Sequence, residues 1–188
     1  MSQRVKSAPD DLEIVREFVN TRDIDAGSDD LARPEHLASW LAARALLEPD
    51  AEATERQLRR AVRLREALRE LLLANNEGGA PPGLAVTALN ELAASVRLRL
   101  TVTATGLARL QPDGGGVDAA LGRLLIIAYQ AIEAGTWSRL KACHNSTCRW
   151  AFYDHSKNRS GHWCSMDACG SQQKARAYRQ RKRQVEAG

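Results

Sequence analysis

All four cysteines of the chain fall within 27 residues: Cys143, Cys148, Cys164 and Cys169. The spacing is C-x4-C-x15-C-x4-C, two matched pairs around a short linker. No other feature constrains the fold as much, because two tight turns offering two thiolates each close a tetrahedral shell around one structural Zn²⁺. The four-residue gap lies at the wide end of the usual spacing. Two disulfides or four unrelated thiols are the competing readings. Disulfides rarely persist in a reducing compartment. The polar start from Met1 to Asp10 has no apolar run to serve as a signal core. No stretch reaches the roughly 18–20 apolar residues of a membrane span. The expectation is a cytoplasmic, nucleoid-associated protein with no membrane partner.

A hydrolytic zinc keeps three protein ligands and one open position for water, whereas four thiolates leave none. His144 and His162 each sit near a cysteine and are the alternative ligands. No H-E-x-x-H or zinc-deaminase pattern occurs. The N-terminal region has one histidine, His36, and no catalytic constellation, so no enzymatic activity is expected.

Charge divides the chain at the same place. From Arg139 onward there are 11 Lys+Arg against 3 acids, net +8; the preceding part carries 16 basic and 20 acidic residues, net −4. A mildly acidic body with a strongly basic end suits a polyanionic partner. The expected domains are therefore 1–138, a mostly helical body, and 139–188, a small metal-stapled module.

Apolar periodicity predicts a helix over Leu12–Val19, closing on Asn20-Thr21, and then a polar loop to Arg33. Pro34 starts a helix through Leu47 with Leu37, Trp40, Leu41 and Leu47 on one face. Arg44 lies in that stripe and must reach solvent or find a partner. A longer helix spans Ala51–Asn75, burying Leu58, Ala61, Leu64, Leu68, Leu71 and Leu72. Its Arg59, Arg60, Arg63, Arg65 and Arg69 share the other faces with Glu55, Glu66 and Glu70, expected as a solvated, ion-paired surface. A short helix follows over Leu84–Ala94. Alternation of Val96, Leu98, Leu100 and Val102 with polar residues then predicts a half-buried strand, returning after Gly106 through Leu107–Leu110. Asp118–Glu133 is the last body helix, stopped by Gly135. The body is mainly α with one small β-hairpin, an α+β arrangement.

In the module, Trp150–Tyr153 reads as a strand, Ser156–Gly161 as a hairpin turn and Gln172–Gln184 as a helix. A knuckle, a hairpin and a helix whose start carries the last ligands make a treble-clef-like zinc module, stabilised by its metal. The terminal helix carries Lys174, Arg176, Arg179, Arg181, Lys182 and Arg183 with no acid before Glu186. Such density neutralises phosphates, and Arg176, Arg179, Gln180 and Arg183 are suited to base edges. Lys157 and Arg159 add cations between the cysteine pairs. RNA is the other polyanion to consider, since Trp150, Phe152, Tyr153 and Trp163 could stack on unpaired bases. Filling a mini-domain core is the commoner use of such aromatics.

These residues resemble the CGNR zinc-finger family of bacterial transcriptional regulators, over nearly the whole chain. Phe18-Val19-Asn20-Thr21 with Trp40-Leu41 is similar to the start of that family's N-terminal ABATE domain, and Leu64–Arg69 to its arginine-rich helix. The strongest match is Asp154-His155-Ser156-Lys157-Asn158-Arg159-Ser160, then Trp163-Cys164-Ser165-Met166, Cys169-Gly170 and Lys174–Arg179. The family's Asn-Arg after Cys-Gly is here Ser171-Gln172, which removes an arginine from the helix start. The resemblance implies a four-cysteine zinc site, duplex DNA as partner, and a sensing or dimerising N-terminal domain. A homodimer and a small-molecule effector are accordingly expected, with Asn20, Thr21 and Trp40 as candidate effector contacts. The alternatives are an RNA-binding or ribosome-associated zinc module, or a zinc-stapled protein-interaction module.

Overall fold

The computed structural model describes residues 6–172, 174, 175 and 179. The first helix, α1 (Leu12–Val19), buries Leu12, Val15, Phe18 and Val19, the stripe its period dictates. The polar stretch after it is not all loop. Arg22–Asp23 (β1) pairs antiparallel with Ser28–Asp29 (β2), which returns the chain beside the end of α1. The next helix, α2, covers Pro34–Ala42 and stops short of Leu47. Ala45 adopts a left-handed φ of 54°, and the Leu46 N–H bonds back to the Leu41 carbonyl at 3.0 Å. Leu47 thus enters the core from a turn.

The longest element, α3 (Glu55–Glu77), begins four residues later than its period implies. Thr54 fixes the start: its hydroxyl accepts from Gln57 N–H while the Gln57 side chain accepts from Thr54 N–H, a reciprocal cap. Gly78 ends it at φ 72°, a left-handed position glycine occupies without strain. Then come α4 (Gly83–Ser95), the antiparallel pair β3 (Leu98–Val102) and β4 (Ala108–Pro112), and α5 (Gly116–Glu133). Helices α1, α2 and α5 pack around α3 over one core that includes Phe18, Leu37, Leu41, Leu64, Leu68, Leu72, Leu121 and Leu124.

Two expectations about this body are corrected. The β3–β4 strands are not half-buried, for Leu98, Leu100 and Val102 are all exposed. Strand β4 lies against α5, with Leu110 and Pro112 half-buried, while the Leu98, Leu100 and Val102 side chains of β3 stay open. Nor is the arginine face of α3 uniformly solvated. Arg59 and Arg63 are exposed, but Arg65 is 0% and Arg69 3% accessible.

After a short 3₁₀ turn (Trp137–Arg139), β5 (Leu140–Ala142) pairs antiparallel with β6 (Ala151–Tyr153). The first two cysteines lie in the connection between them. Strand β6 begins one residue later than expected. The Ser156–Gly161 stretch is no strand-to-strand turn; it folds back onto Asp154. Strand β5 runs along α3, and Trp137, Leu140, Ala142 and Ala151 belong to the same core cluster as the helices. The basic end is therefore built onto the body. A single π turn (Met166–Gly170) follows, and residues 171, 172, 174, 175 and 179 have helical backbone.

Candidate metal centre and basic surface

Cys143 follows β5, where its N–H donates to the Trp150 carbonyl at 2.9 Å and closes the first knuckle. Within that knuckle the N–H groups of Cys148 and Arg149 both donate to the Asn145 carbonyl, at 2.9 and 3.0 Å. Arg149 takes a left-handed φ of 52° to complete the turn. The second pair is set by the π turn: Ser165 caps it through Ala168 N–H, and Cys169 comes to rest on its inner side.

All four sulfurs lie within 4.8 Å of one another. Cys148 and Cys164 sulfurs are 3.7 Å apart, those of Cys164 and Cys169 3.8 Å, and no disulfide joins any of them. A tetrahedral Zn²⁺ with Zn–S bonds of about 2.3 Å requires S···S edges of about 3.8 Å. The cluster fits that ion. Asn145 adds an outer contact, its amide donating to Cys169 Sγ at 3.6 Å, the kind of bond that orients a thiolate ligand.

Crowding also polarises the thiols. Hydrogen bonds from Cys148 and Cys164 hold the Cys143 thiol far below its ordinary range, while Cys143 pushes both neighbours up. A cation at the centre relieves this conflict by favouring thiolate at every position. The histidine alternatives are engaged elsewhere. His162 Nδ1 bonds Asn76 Oδ1 at 2.7 Å, and His144 Nδ1 lies 3.7 Å from Glu77 Oε1. His144 also stacks edge-on against Trp163, with centroids 5.6 Å apart.

Behind the cysteines lies a polar staple that the sequence reading did not single out. Lys141 and Asp154 are both buried, and Lys141 Nζ donates to Asp154 Oδ2 at 2.8 Å. The same ammonium donates to the carbonyls of Arg159 (2.6 Å) and Gly161 (3.1 Å). Asp154 in turn accepts from the Ser156 and Gly161 N–H groups at 2.9 and 2.8 Å. Burial alone would raise this carboxyl, but Lys141, Ser156 and Gly161 together hold it well below the usual carboxylate range. A Cβ at position 161 would meet the Asp154 carboxylate at 2.9 Å, so only glycine lets the loop close. Arg139 adds bonds to the carbonyls of Asp154 (3.0 Å) and Ser156 (2.9 Å).

Locking the backbone inward leaves Lys157 and Arg159 exposed on the outside of this loop. Lys174 and Arg179 are exposed on the helical stretch that follows the metal cluster. Arg176, Gln180, Arg181, Lys182 and Arg183 lie outside the described residues. Ser171, one of the two residues replacing the family's Asn-Arg, bonds the Met166 carbonyl at 3.0 Å, and Gln172 beside it is exposed.

Asn20 and Thr21 are occupied inside the fold. Asn20 clamps Ala151 of β6 at both backbone groups, donating to the carbonyl at 2.9 Å and accepting from the N–H at 2.7 Å. The Thr21 hydroxyl donates to the Phe18 carbonyl and accepts from Arg65. Trp40 packs on Phe18 and carries the Arg44 guanidinium over its ring at 3.9 Å; Arg44 finds its ion partner in Glu17 at 2.8 Å. A ligand reaching Asn20 or Thr21 would have to displace these contacts. Asn76 is the counterpart of Asn20 on α3, donating to the carbonyls of Ala142 (2.7 Å) and His162 (2.9 Å). Asn75 bonds those of Trp137 and Leu140.

Among the described residues no helix is long and apolar enough to cross a membrane. Residues 13–136 match a family model, ABATE, described as a putative stress-induced transcription regulator. Residues 139–182 match one described as the CGNR zinc finger. No curated protein matches the chain.

Proposed function

We propose, from the premise that this chain belongs to the ABATE family and carries a CGNR zinc finger, that it regulates transcription by binding duplex DNA through its basic C-terminal module. One structural Zn²⁺ belongs to that finger, and the four-thiol cluster is within metal-binding distance. We assign Cys143, Cys148, Cys164 and Cys169 as its ligands. The ion's part is to hold the module together, and the protein acts by binding rather than catalysis.

The Lys141–Asp154 staple is the observation that carries the reading. A buried ion pair at 2.8 Å fixes the loop from within, so that Lys157 and Arg159 stand outward on a rigid backbone. Cations presented on a fixed frame lose little conformational entropy on meeting phosphates, and Lys174 and Arg179 extend the same chemistry onto the helix. The aromatics favour duplex over single-stranded RNA. Phe152 is buried, and Trp150, Tyr153 and Trp163 are only partly accessible, Tyr153 against His155 and Trp163 against His144. Stacking on unpaired bases needs free ring faces.

The test is selection of fragmented host DNA by full-length, zinc-loaded protein at rising salt. An enriched motif with steep salt dependence is expected, and Lys157→Ala or Arg159→Ala should each reduce the log–log salt slope by about 1. Retention that vanishes by physiological salt without enrichment, or tighter binding to single-stranded RNA, overturns the reading.

A further inference from the structure

The segment before α1 is attached to the finger as well as to its own helix. His155 Nε2 lies 3.0 Å from the Ser7 carbonyl oxygen, a contact between residues 148 apart in sequence. A carbonyl can only accept, so this ring nitrogen carries the proton. The next residue is fixed from the body side: Ala8 is buried, and its N–H donates to Glu13 Oε2 at 2.7 Å. Arg16 Nε holds the same carboxylate oxygen at 2.8 Å. On the finger side, the His155 ring packs edge-on against Tyr153, with centroids 4.9 Å apart. His155 also directly follows Asp154, whose carboxylate the Lys141 staple locks in place. Ser7 and Ala8 are therefore pinned from two directions, and Lys6 emerges beside this anchor, exposed.

The place where Lys6 emerges already gathers positive charge. Lys157 lies two residues beyond His155 and Arg159 four, and both are exposed. Chain geometry limits the Cα separation of Lys6 and Lys157 to about 20 Å, a length that duplex DNA spans in about six base pairs. Among the described residues no carboxylate pairs with the side chains of Lys6, Lys157 or Arg159; Arg159 reaches the Ser138 hydroxyl at 3.4 Å. Asp154 is occupied by Lys141. Asp10 and Asp11, the acids that follow Lys6 in sequence, line a cleft with Ile127 and Gln130 of α5.

Unpaired cations within so short a span repel one another and favour an anionic partner laid across them. Resting on the function proposed above, we infer that Lys6 supplies a phosphate contact to the DNA-binding surface, and that His155 is the positioning residue that holds it there through Ser7. A lysine on an unanchored segment would lose conformational freedom on meeting a phosphate, and the pin removes part of that cost beforehand. The DNA-binding surface then crosses the seam between body and finger.

The experiment compares full-length, zinc-loaded wild type with Lys6→Ala, His155→Phe and the double variant in salt titrations on a short mixed-sequence duplex. Phenylalanine keeps a ring against Tyr153 and loses the bond to Ser7. Lys6→Ala should lower the log–log slope by about 1 and weaken binding about eightfold near 0.1 M salt, the effect of one released counterion. His155→Phe should reproduce much of that loss although Lys6 is still present. The double variant should bind no more weakly than Lys6→Ala alone, the non-additivity expected of a residue that acts through another. Zinc content should be unchanged in all three, since neither residue is a ligand. Duplex binding by the wild type with a slope indifferent to Lys6→Ala overturns the inference and leaves the DNA reading standing. A slope lowered by Lys6→Ala but untouched by His155→Phe overturns the positioning role. A wild type that binds no duplex overturns the inference and the reading together.

Discussion

A guanidinium without access to water keeps its charge only when its neighbours replace the lost hydration. Arg65 meets that condition: Nη1 and Nη2 donate to the two Asp29 carboxylate oxygens at 2.6 and 2.8 Å, Nε to Glu66 at 2.8 Å, and Nη1 also to Thr21. Burial would lift the Asp29 carboxyl, but Arg65 and the Leu31 N–H outweigh it and hold it below its ordinary value. The sign of the linkage follows. Stability from this pair is present above the unfolded carboxylate pKa of about 3.9 and is lost as pH falls through the lower folded value. Asp29→Asn should cost about 3 kcal/mol at neutral pH. Thermal melts should fall by about 6–12 °C, and the variant should lack the wild type's loss of stability below about pH 4. A melt unchanged at neutral pH would show that Glu66 alone suffices. Cys164→Ser opens the thiolate shell; it should release the zinc, read by metal analysis, and unfold the module, while retention of both would refute the four-cysteine assignment.

Between elements, the clamp of Asn20 on Ala151 joins residues 131 apart in sequence, and Asn76 does the same for β5 and His162. Asn20→Ala leaves a buried N–H and carbonyl on β6 without their partner, a loss of about 1–3 kcal/mol. The finger should then give up zinc to a chelator faster than the wild type, at similar helix content; an unchanged rate would mean that β6 is held by β5 alone. The cysteine cluster was legible in the sequence because ligand spacing is local, and α1 and α5 because their periods are. What was missed depends on distant partners. Arg65 falls in register with Leu58, Ala61, Leu68 and Leu72, at intervals of seven and of three or four, so its position already marked it as buried. Identity masked that signal, because an arginine among glutamates reads as surface until Asp29 is brought across by the β1–β2 turn. Asn75 and Asn76 continue the same two rows of α3, and there the helix meets backbone instead of side chains. Lys141 and Asp154 carried no such periodicity, since β5 and β6 are each three residues long. The alternation of β3 did mark an apolar face correctly; its cover was assumed to lie within the chain.

Taken whole, the molecule has one core into which the metal-bearing end is set through Trp137, Leu140, Ala142 and Ala151. Stripping zinc should therefore lower a single cooperative melting transition, because the cluster anchors the strands that line α3. Two separate transitions, with the upper one indifferent to metal, would show that body and finger melt independently. Arg69 states the dependence most compactly, donating to the carbonyls of Val19 (2.7 Å) in the body and Arg149 (3.0 Å) in the finger. Proteolysis meets that dependence directly. A cut in the exposed turn at Gly135 would release a finger with Leu140, Ala142 and Ala151 bared, and a body with Asn20, Asn76 and Arg69 facing solvent. Neither fragment is a smaller version of the whole, so cleavage here yields no self-sufficient basic end.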